Sequence, residues 1–196
     1  MGDLIGEVVQ SELYYITRKE FERVGRANNA KSAIMSLYAD MLRLNVLYMI
    51  ANAGSGHIGS SFSAADIMTH LYLSEMDHDG DVFFSSKGHD APALYSVLIA
   101  RGVLEEDLLH KLRRLGGLPG HPDVSVPGLV TNTGSLGMGI SKAKGMIEAA
   151  RAQKRAKRVY VMTGDGELQE GQIWESLISA ANRRMGELTV IVDHNK

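Results

Sequence analysis

Three features of this chain predict an α/β fold, doubly wound around a mostly parallel sheet with helices on its flanks. The runs Arg158-Val159-Tyr160-Val161-Met162 and Leu188-Thr189-Val190-Ile191-Val192 are β-branched and aromatic, as buried parallel strands are, and Gln169 to Met185 between them reads as a helix. The crossover in such a βαβ unit is almost always right-handed, so the two strands lie side by side. The third feature is a glycine-bracketed aspartate, Gly164-Asp165-Gly166, where the first strand ends. Asp165 and Asn195 then fall at the carboxyl ends of neighbouring strands, where open α/β sheets bind ligands.

In chain order, residues 1–30 form a polar lead-in, expected to be helical from Asp3 to Arg26 and broken at Asn28-Asn29. Residues 31–196 form the main unit. Ile34, Leu37, Met41, Leu44, Leu47 and Ile50 recur at helical spacing, which predicts a long core helix over Ala30 to Ala53. Gly54 to Ser61 is a glycine-rich loop, and Ser63 is a candidate cap for a helix running to about Met76. Val82-Phe83-Phe84-Ser85 predicts a short strand, Ala91 to Arg101 a helix and Glu105 to Arg114 another. Leu115 to Gly128 is a Gly/Pro loop. Gly137 to Ala152 predicts a helix whose basic end, Arg151 to Arg158, complements its dipole and reads as solvated charge.

Composition narrows the class of function. The chain has 196 residues, 44% hydrophobic and 22% charged, which suits one soluble domain with a sizeable core. A net charge of −2 argues against nucleic acid or a membrane surface as the main partner. The absence of cysteine removes disulfides, thiolate metal sites and a cysteine nucleophile. No apolar run reaches the roughly 18 residues of a membrane span, and the N-terminus lacks a basic-then-apolar signal, so a cytoplasmic enzyme is expected.

Glycine clusters mark where chemistry is to be sought, because glycine lets backbone approach a ligand closely. Asp165 and Asn195 offer a carboxylate and an amide carbonyl, hard oxygen donors suited to Mg²⁺ or Ca²⁺. Mg²⁺ takes few protein ligands and fills its octahedron with phosphate oxygens and water, which makes a diphosphate the natural third party. Four loops add polar groups: Gly54 to Ser61, Ser85-Ser86-Lys87-Gly88-His89, Gly120-His121-Pro122, and Thr131 to Gly139. Three of the seven histidines, His57, His89 and His121, neighbour glycine on these loops, and together they suggest a cleft for phosphates or hydroxyls. His70, His78 and His110 are read as structural or exposed. Gly54-Ser55-Gly56-His57-Ile58-Gly59 has the dinucleotide-fingerprint spacing, yet it follows a helix and not a strand, so that reading fails.

Gly164-Asp165-Gly166 followed by Asn195 resembles the thiamine-diphosphate-binding motif, and the longer string Gly164-Asp165-Gly166-Glu167-Leu168-Gln169-Glu170-Gly171 resembles that of transketolases. Gly56-His57, Ser86-Lys87-Gly88-His89, Pro119-Gly120-His121-Pro122 and Thr133-Gly134-Ser135-Leu136-Gly137 match further loops of that family, in the same order. The resemblance runs from about residue 35 to the end and is strongest to the N-terminal, diphosphate-binding subunit of a split transketolase. It implies the thiamine-diphosphate-binding fold, thiamine diphosphate with Mg²⁺ or Ca²⁺ as cofactors, and transfer of a two-carbon ketol unit between sugar phosphates. By this resemblance Asp165 and Asn195 bind the metal, Gly166 and Glu167 lie against the phosphates through backbone, and His89 hydrogen-bonds the diphosphate. Gly134 and Leu136 meet the aminopyrimidine, His57 and His121 touch substrate hydroxyls, and Glu170 belongs to a carboxylate network at the subunit interface.

The same resemblance implies a separate pyrimidine-binding partner chain, which carries the glutamate that activates the cofactor, and self-association as well. The chain alone is therefore expected to be inactive. The family continues past Asn195 with a further metal ligand, a strand and helices, so residues 31–196 are expected to be incomplete at the C-terminus, with sheet edge and apolar faces uncovered. Gly80-Asp81 stands where the family often carries basic residues. Rival readings are another enzyme of the same cofactor class, a transketolase-like subunit of a specialised biosynthetic pathway with a non-sugar acceptor, and a non-catalytic assembly subunit.

Overall fold

The computed structural model describes residues 12–27 and 31–194. Three parallel strands, β1 (Val82–Ser85), β2 (Val159–Gly164) and β3 (Leu188–Asp193), stand in the order β1-β2-β3. Six α-helices surround them: α1 (Arg18–Gly25), α2 (Lys31–Ala53), α3 (Ile58–His70), α4 (Ala91–Ala100), α5 (Gly139–Ala152) and α6 (Gly171–Asn182). Successive residues of a strand point to opposite faces, and that period divides the core in two. Phe83, Tyr160 and Met162 join α1, α2, α3 and α4 on one face, while Phe84, Val159 and Val161 meet Ala143 and Ile147 of α5 and Ala180 of α6 on the other. The expected doubly wound arrangement is thus present, with register Phe83 to Tyr160 and Phe84 to Val161.

The βαβ unit forms as predicted, with β2 and β3 parallel and α6 between them. Its helix begins at Gly171 and not at Gln169, because Gly166–Gln169 first makes a 3₁₀ turn. β3 is the outer strand of the sheet and only half covered: Val192 is 40% exposed, and Trp174 and Ile178 of α6 are 54% and 65% exposed. These are the uncovered apolar faces that the sequence leads one to expect.

Four local expectations change. Among the described residues the lead-in is helical only from Arg18, since residues 12–17 run without regular structure, while Asp3 to Ser11 and the Asn28-Asn29 break lie outside the described residues. The segment Glu105 to Arg114 keeps only a 3₁₀ turn, Glu106–His110. α3 begins at Ile58, five positions before the Ser63 proposed as its cap, and continues past His70 into a π-helical turn, Leu71–Glu75. On α2 the leucine stripe is not the core stripe: Leu37, Leu44 and Leu47 are 43–49% exposed, whereas Tyr38, Leu42, Asn45, Val46 and Met49 are buried.

α2 is apolar nearly all round, so spacing alone could not choose its inner face. Burial of Asn45 made that choice, because its amide both accepts from the Ile16 N–H (2.6 Å) and donates to the Ile16 carbonyl (3.0 Å), tying the lead-in to the core. The helix is also long and apolar enough to cross a membrane by length and composition, contrary to the sequence expectation. Here it packs against α3 and α4 as a core helix, with Asp40 and Arg43 paired on its outer side.

Candidate functional site

A cleft of about 600 Å³ opens at the carboxyl ends of the strands, the position predicted for Asp165. Three segments wall it: the α2–α3 turn from Gly56 to Ser60, the β1–α4 loop with Lys87 and His89, and the β2 turn from Gly164 to Glu167. The early start of α3 matters here. The first N–H groups of a helix have no intrahelical acceptor, and those of Ile58, Gly59 and Ser60 therefore face the cleft as anion-compatible donors. Gly59 and Gly166 present bare backbone, with no protein atom within 4 Å of where a Cβ would stand.

The floor of the cleft is a buried network of charge. Lys87, 3% exposed, forms an ion pair with Asp193, donates to Ser60 Oγ at 2.9 Å and lies 3.5 Å from Asp90. Asp193, at the last position of β3, also accepts from the Ser63 hydroxyl, so Ser63 braces a strand tip where a helix cap was expected. Ser85 donates to Asp90 at 2.8 Å. Burial pushes the Asp90 carboxyl above its usual range, against the pull of the Lys87 charge. Beside this group, Glu167 is buried and its carboxylate accepts from the Ser86 hydroxyl, the Gly137 N–H (2.8 Å) and the Gly164 N–H (3.2 Å).

Of the residues singled out in the sequence, His57, His89, Leu136, Asp165, Gly166 and Glu167 line this cleft. The His57 and His89 rings meet edge to face at 5.3 Å. His89 Nδ1 lies 3.0 Å from the Lys87 carbonyl, which can only accept, so Nδ1 carries the proton and Nε2 is left for the cleft. The Asp165 N–H donates to the Asp193 carbonyl at 3.1 Å, and its carboxylate accepts from the Gly166 N–H at 2.8 Å. The β2–β3 register thus fixes the Asp165 turn against the tip of β3. Asn195 lies outside the described residues.

Three expected site residues stand elsewhere. His121 lines an adjoining cavity, although it abuts the His89 loop: a Cβ on Gly88, whose φ is +69°, would collide with the Thr133 hydroxyl and stand 3.0 Å from the His121 ring. Burial, and then the positive charge of His89, His57 and Arg113, hold the His121 imidazole below its ordinary range. Gly134 lines neither cavity; its φ of +119° makes it a turn residue at the edge of the loop. Glu170 is exposed at the start of α6, with its Cβ packed against Gly137.

Sequence reasoning missed Lys87 and Asp193, and the side chain of Glu167. The signal was present in Ser86-Lys87-Gly88, since a lysine directly after a buried strand has no route to solvent and needs acids around it. His78 and His110 are structural as expected, His78 bonding the Tyr72 carbonyl (2.9 Å) and His110 the Tyr48 hydroxyl (2.7 Å). Arg151 and Arg158, read as solvated, are engaged in ion pairs with Glu187 and with Glu75 and Asp81. Among the described residues no three acidic or histidine side chains gather as a metal cage. A Mg²⁺ that takes most of its ligands from phosphate and water needs no such cage, and the donors around the cleft suit an anionic ligand.

Comparison with known proteins is consistent with this geometry. The family profile described as transketolase, thiamine diphosphate binding domain, matches residues 34–196. The chain is similar to one of the two subunits of apulose-4-phosphate transketolase from Phocaeicola vulgatus, with 34% identity over 83% of this chain and 61% of the relative. It is also similar to a 6-deoxy-6-sulfo-D-fructose transketolase subunit of Clostridium sp., with 38% identity over 81% of this chain and 61% of the relative. The chain therefore spans about three fifths of the length of these relatives. Among solved structures, transketolase from Leishmania mexicana superposes with a TM-score of 0.74 at 29% identity, covering 82% of this chain and 27% of that one.

Proposed function

The chain belongs to the transketolase thiamine diphosphate-binding family, and from that premise we propose that it is the diphosphate-binding subunit of a two-chain transketolase, transferring a two-carbon ketol unit between sugar phosphates. One observation carries the reading. The start of α3, the Lys87–His89 loop and the Asp165 turn converge on a single polar cleft of about 600 Å³ at the strand ends. Thiamine diphosphate, when bound, supplies an electron-withdrawing thiazolium that stabilises the carbanion left when a C–C bond beside a carbonyl breaks.

The residues would divide the work as follows. The Asp165 carboxylate, with Asn195, would hold Mg²⁺ or Ca²⁺ against the phosphates, while the backbone of Gly166 and Glu167 and the first N–H groups of α3 would receive phosphate oxygens. His89 would reach a phosphate oxygen through Nε2; because Nδ1 is already the donor to Lys87, that nitrogen donates only when the ring is cationic. Leu136, 44% exposed on the cleft wall, and Gly134 would meet the aminopyrimidine and exclude water from it. His57 and His121 would orient substrate hydroxyls, and Glu170, free of the cleft, would face a neighbouring chain.

The partner chain would bring the pyrimidine-binding domain, a reading supported by the relatives, which are themselves named as single subunits of their transketolases. Their printed substrates, a sugar phosphate and a sulfonated sugar, favour a sugar with an anionic end over a non-sugar acceptor. The test is calorimetric titration of thiamine diphosphate with Mg²⁺ into the chain, alone and mixed with a candidate partner. Saturable binding that Asp165→Ala weakens by at least about 100-fold is expected. Unchanged affinity in that variant removes the metal assignment, and no binding in either sample removes the cofactor.

A further inference from the structure

A second cavity of about 600 Å³ lies beyond His121, walled by Arg113, Arg114, His121, Asn132 and Thr133 among others. It adjoins the cofactor cleft, because His121 and Thr133 both pack on Gly88, in the loop that carries Lys87 and His89. Two guanidinium groups stand in its wall. Among the described residues neither comes within 4.0 Å of a carboxylate, in contrast to Arg23, Arg26, Arg43, Arg151, Arg158 and Arg183. The acid that shares the wall, Asp123, turns its carboxylate to the Ser125 N–H at 2.9 Å.

The loop that presents these arginines is built and not slack. Arg113 has φ +55°, a left-handed conformation that a side chain larger than glycine rarely adopts, and such outliers gather where a site must be held in shape. Its backbone is clamped by Arg113 N–H to Leu118 carbonyl (2.7 Å) and Leu118 N–H to Lys111 carbonyl (2.9 Å). Gly120 leaves room for the guanidinium: a Cβ there would stand 3.0 Å from Arg113 Nε. Both side chains then bridge to the far wall, Arg113 Nη1 donating to Ser55 Oγ (3.3 Å) and Arg114 Nη2 to the Asn52 carbonyl (3.1 Å). Each uses one of its five donors and leaves the rest for a ligand.

We propose that this cavity seats the phosphate end of the sugar substrate, with Arg113 and Arg114 as forked donors and His121 at the boundary between substrate and cofactor. A planar guanidinium matches two oxygens of a phosphate at once, which a lysine does not. The inference rests on the transketolase reading for its substrate class, but the residues and the ligand chemistry come from this second cavity.

The test uses the full chain, isotope-labelled for amide NMR, titrated with ribose 5-phosphate, with ribose and with inorganic phosphate. Saturable shifts at Gly116, Gly117 and Gly120 are expected with ribose 5-phosphate, none with ribose at the same concentration, and weaker ones with inorganic phosphate. The doubly substituted Arg113→Gln/Arg114→Gln chain should bind ribose 5-phosphate at least tenfold more weakly, with its spectrum otherwise unchanged and its titration by thiamine diphosphate and Mg²⁺ the same as before. No response to ribose 5-phosphate, or an undiminished response in the variant, overturns the proposal whether or not the cofactor binds. Inorganic phosphate binding as tightly as the sugar phosphate overturns the substrate role. Loss of cofactor binding alone, with the sugar-phosphate response intact, counts against the cofactor reading and leaves this site standing.

Discussion

The floor and the rim of the cofactor cleft are built on opposite principles. On the floor, Lys87, Asp193 and Glu167 are 3%, 8% and 2% exposed, and each makes several polar contacts to segments far away in sequence. The rim consists of Gly56, His57, Gly59 and Leu136, all exposed, with few contacts to other parts of the chain. A buried charge that loses its partner keeps its desolvation cost, so the floor tolerates little change, whereas a rim side chain can move to water. The difference separates two jobs: the floor fixes where the strand tips stand, and the rim meets the ligand.

The largest effect should come from Lys87→Met, which leaves Asp193 buried without its cation. Breaking one side of a buried pair costs about 3–5 kcal/mol, and the urea midpoint should fall accordingly with little change in slope. Adding Asp193→Asn should recover much of that loss, since the remaining acid, Asp90, is already pushed towards its neutral form by burial. If Lys87→Met unfolds at the wild-type midpoint, the floor is no more demanding than the rim. A smaller but distinct loss is expected for Glu167→Ala, which strands the Gly137 and Gly164 N–H groups and the Ser86 hydroxyl. An unsatisfied buried group costs about 1–3 kcal/mol, and water entering the vacated space should limit the total to about 2–3 kcal/mol in the same denaturation assay.

The contrast also explains how much could be read from the sequence. The strands, the βαβ unit and the placement of Asp165 were legible because a short apolar run followed by Gly-Asp-Gly has few structural alternatives. The rim histidines were legible for a related reason, since each stands beside glycine on a loop. The floor was hidden because its bonds join residues 87 to 193 and 86 to 167, and no local pattern announces which acid will meet a buried lysine. The inner face of α2 and the true start of α3 were hidden by tertiary choice as well: both depended on which neighbours arrived, Asn45 with the Ile16 backbone in one case and Ser63 with Asp193 in the other.

His121 sharpens the comparison because it belongs wholly to neither class, packed on Gly88 yet open to the second cavity. Burial first, then the charges of His89, His57 and Arg113, keep its imidazole below the ordinary histidine range in the folded chain. The unfolded chain therefore binds the proton more readily. By linkage, stability is highest where both states are neutral and falls as pH drops through the unfolded value of about 6.5 and on to the lower folded one. His121→Gln removes that proton-binding difference, so the loss of urea stability between pH 8 and pH 5.5 should be smaller in the variant than in the wild type. The effect should be the slightest of those described, because a partly open ring can turn its charge to solvent. Equal pH dependence in the two proteins would place His121 with the rim, where protonation is met by water and the fold does not register it.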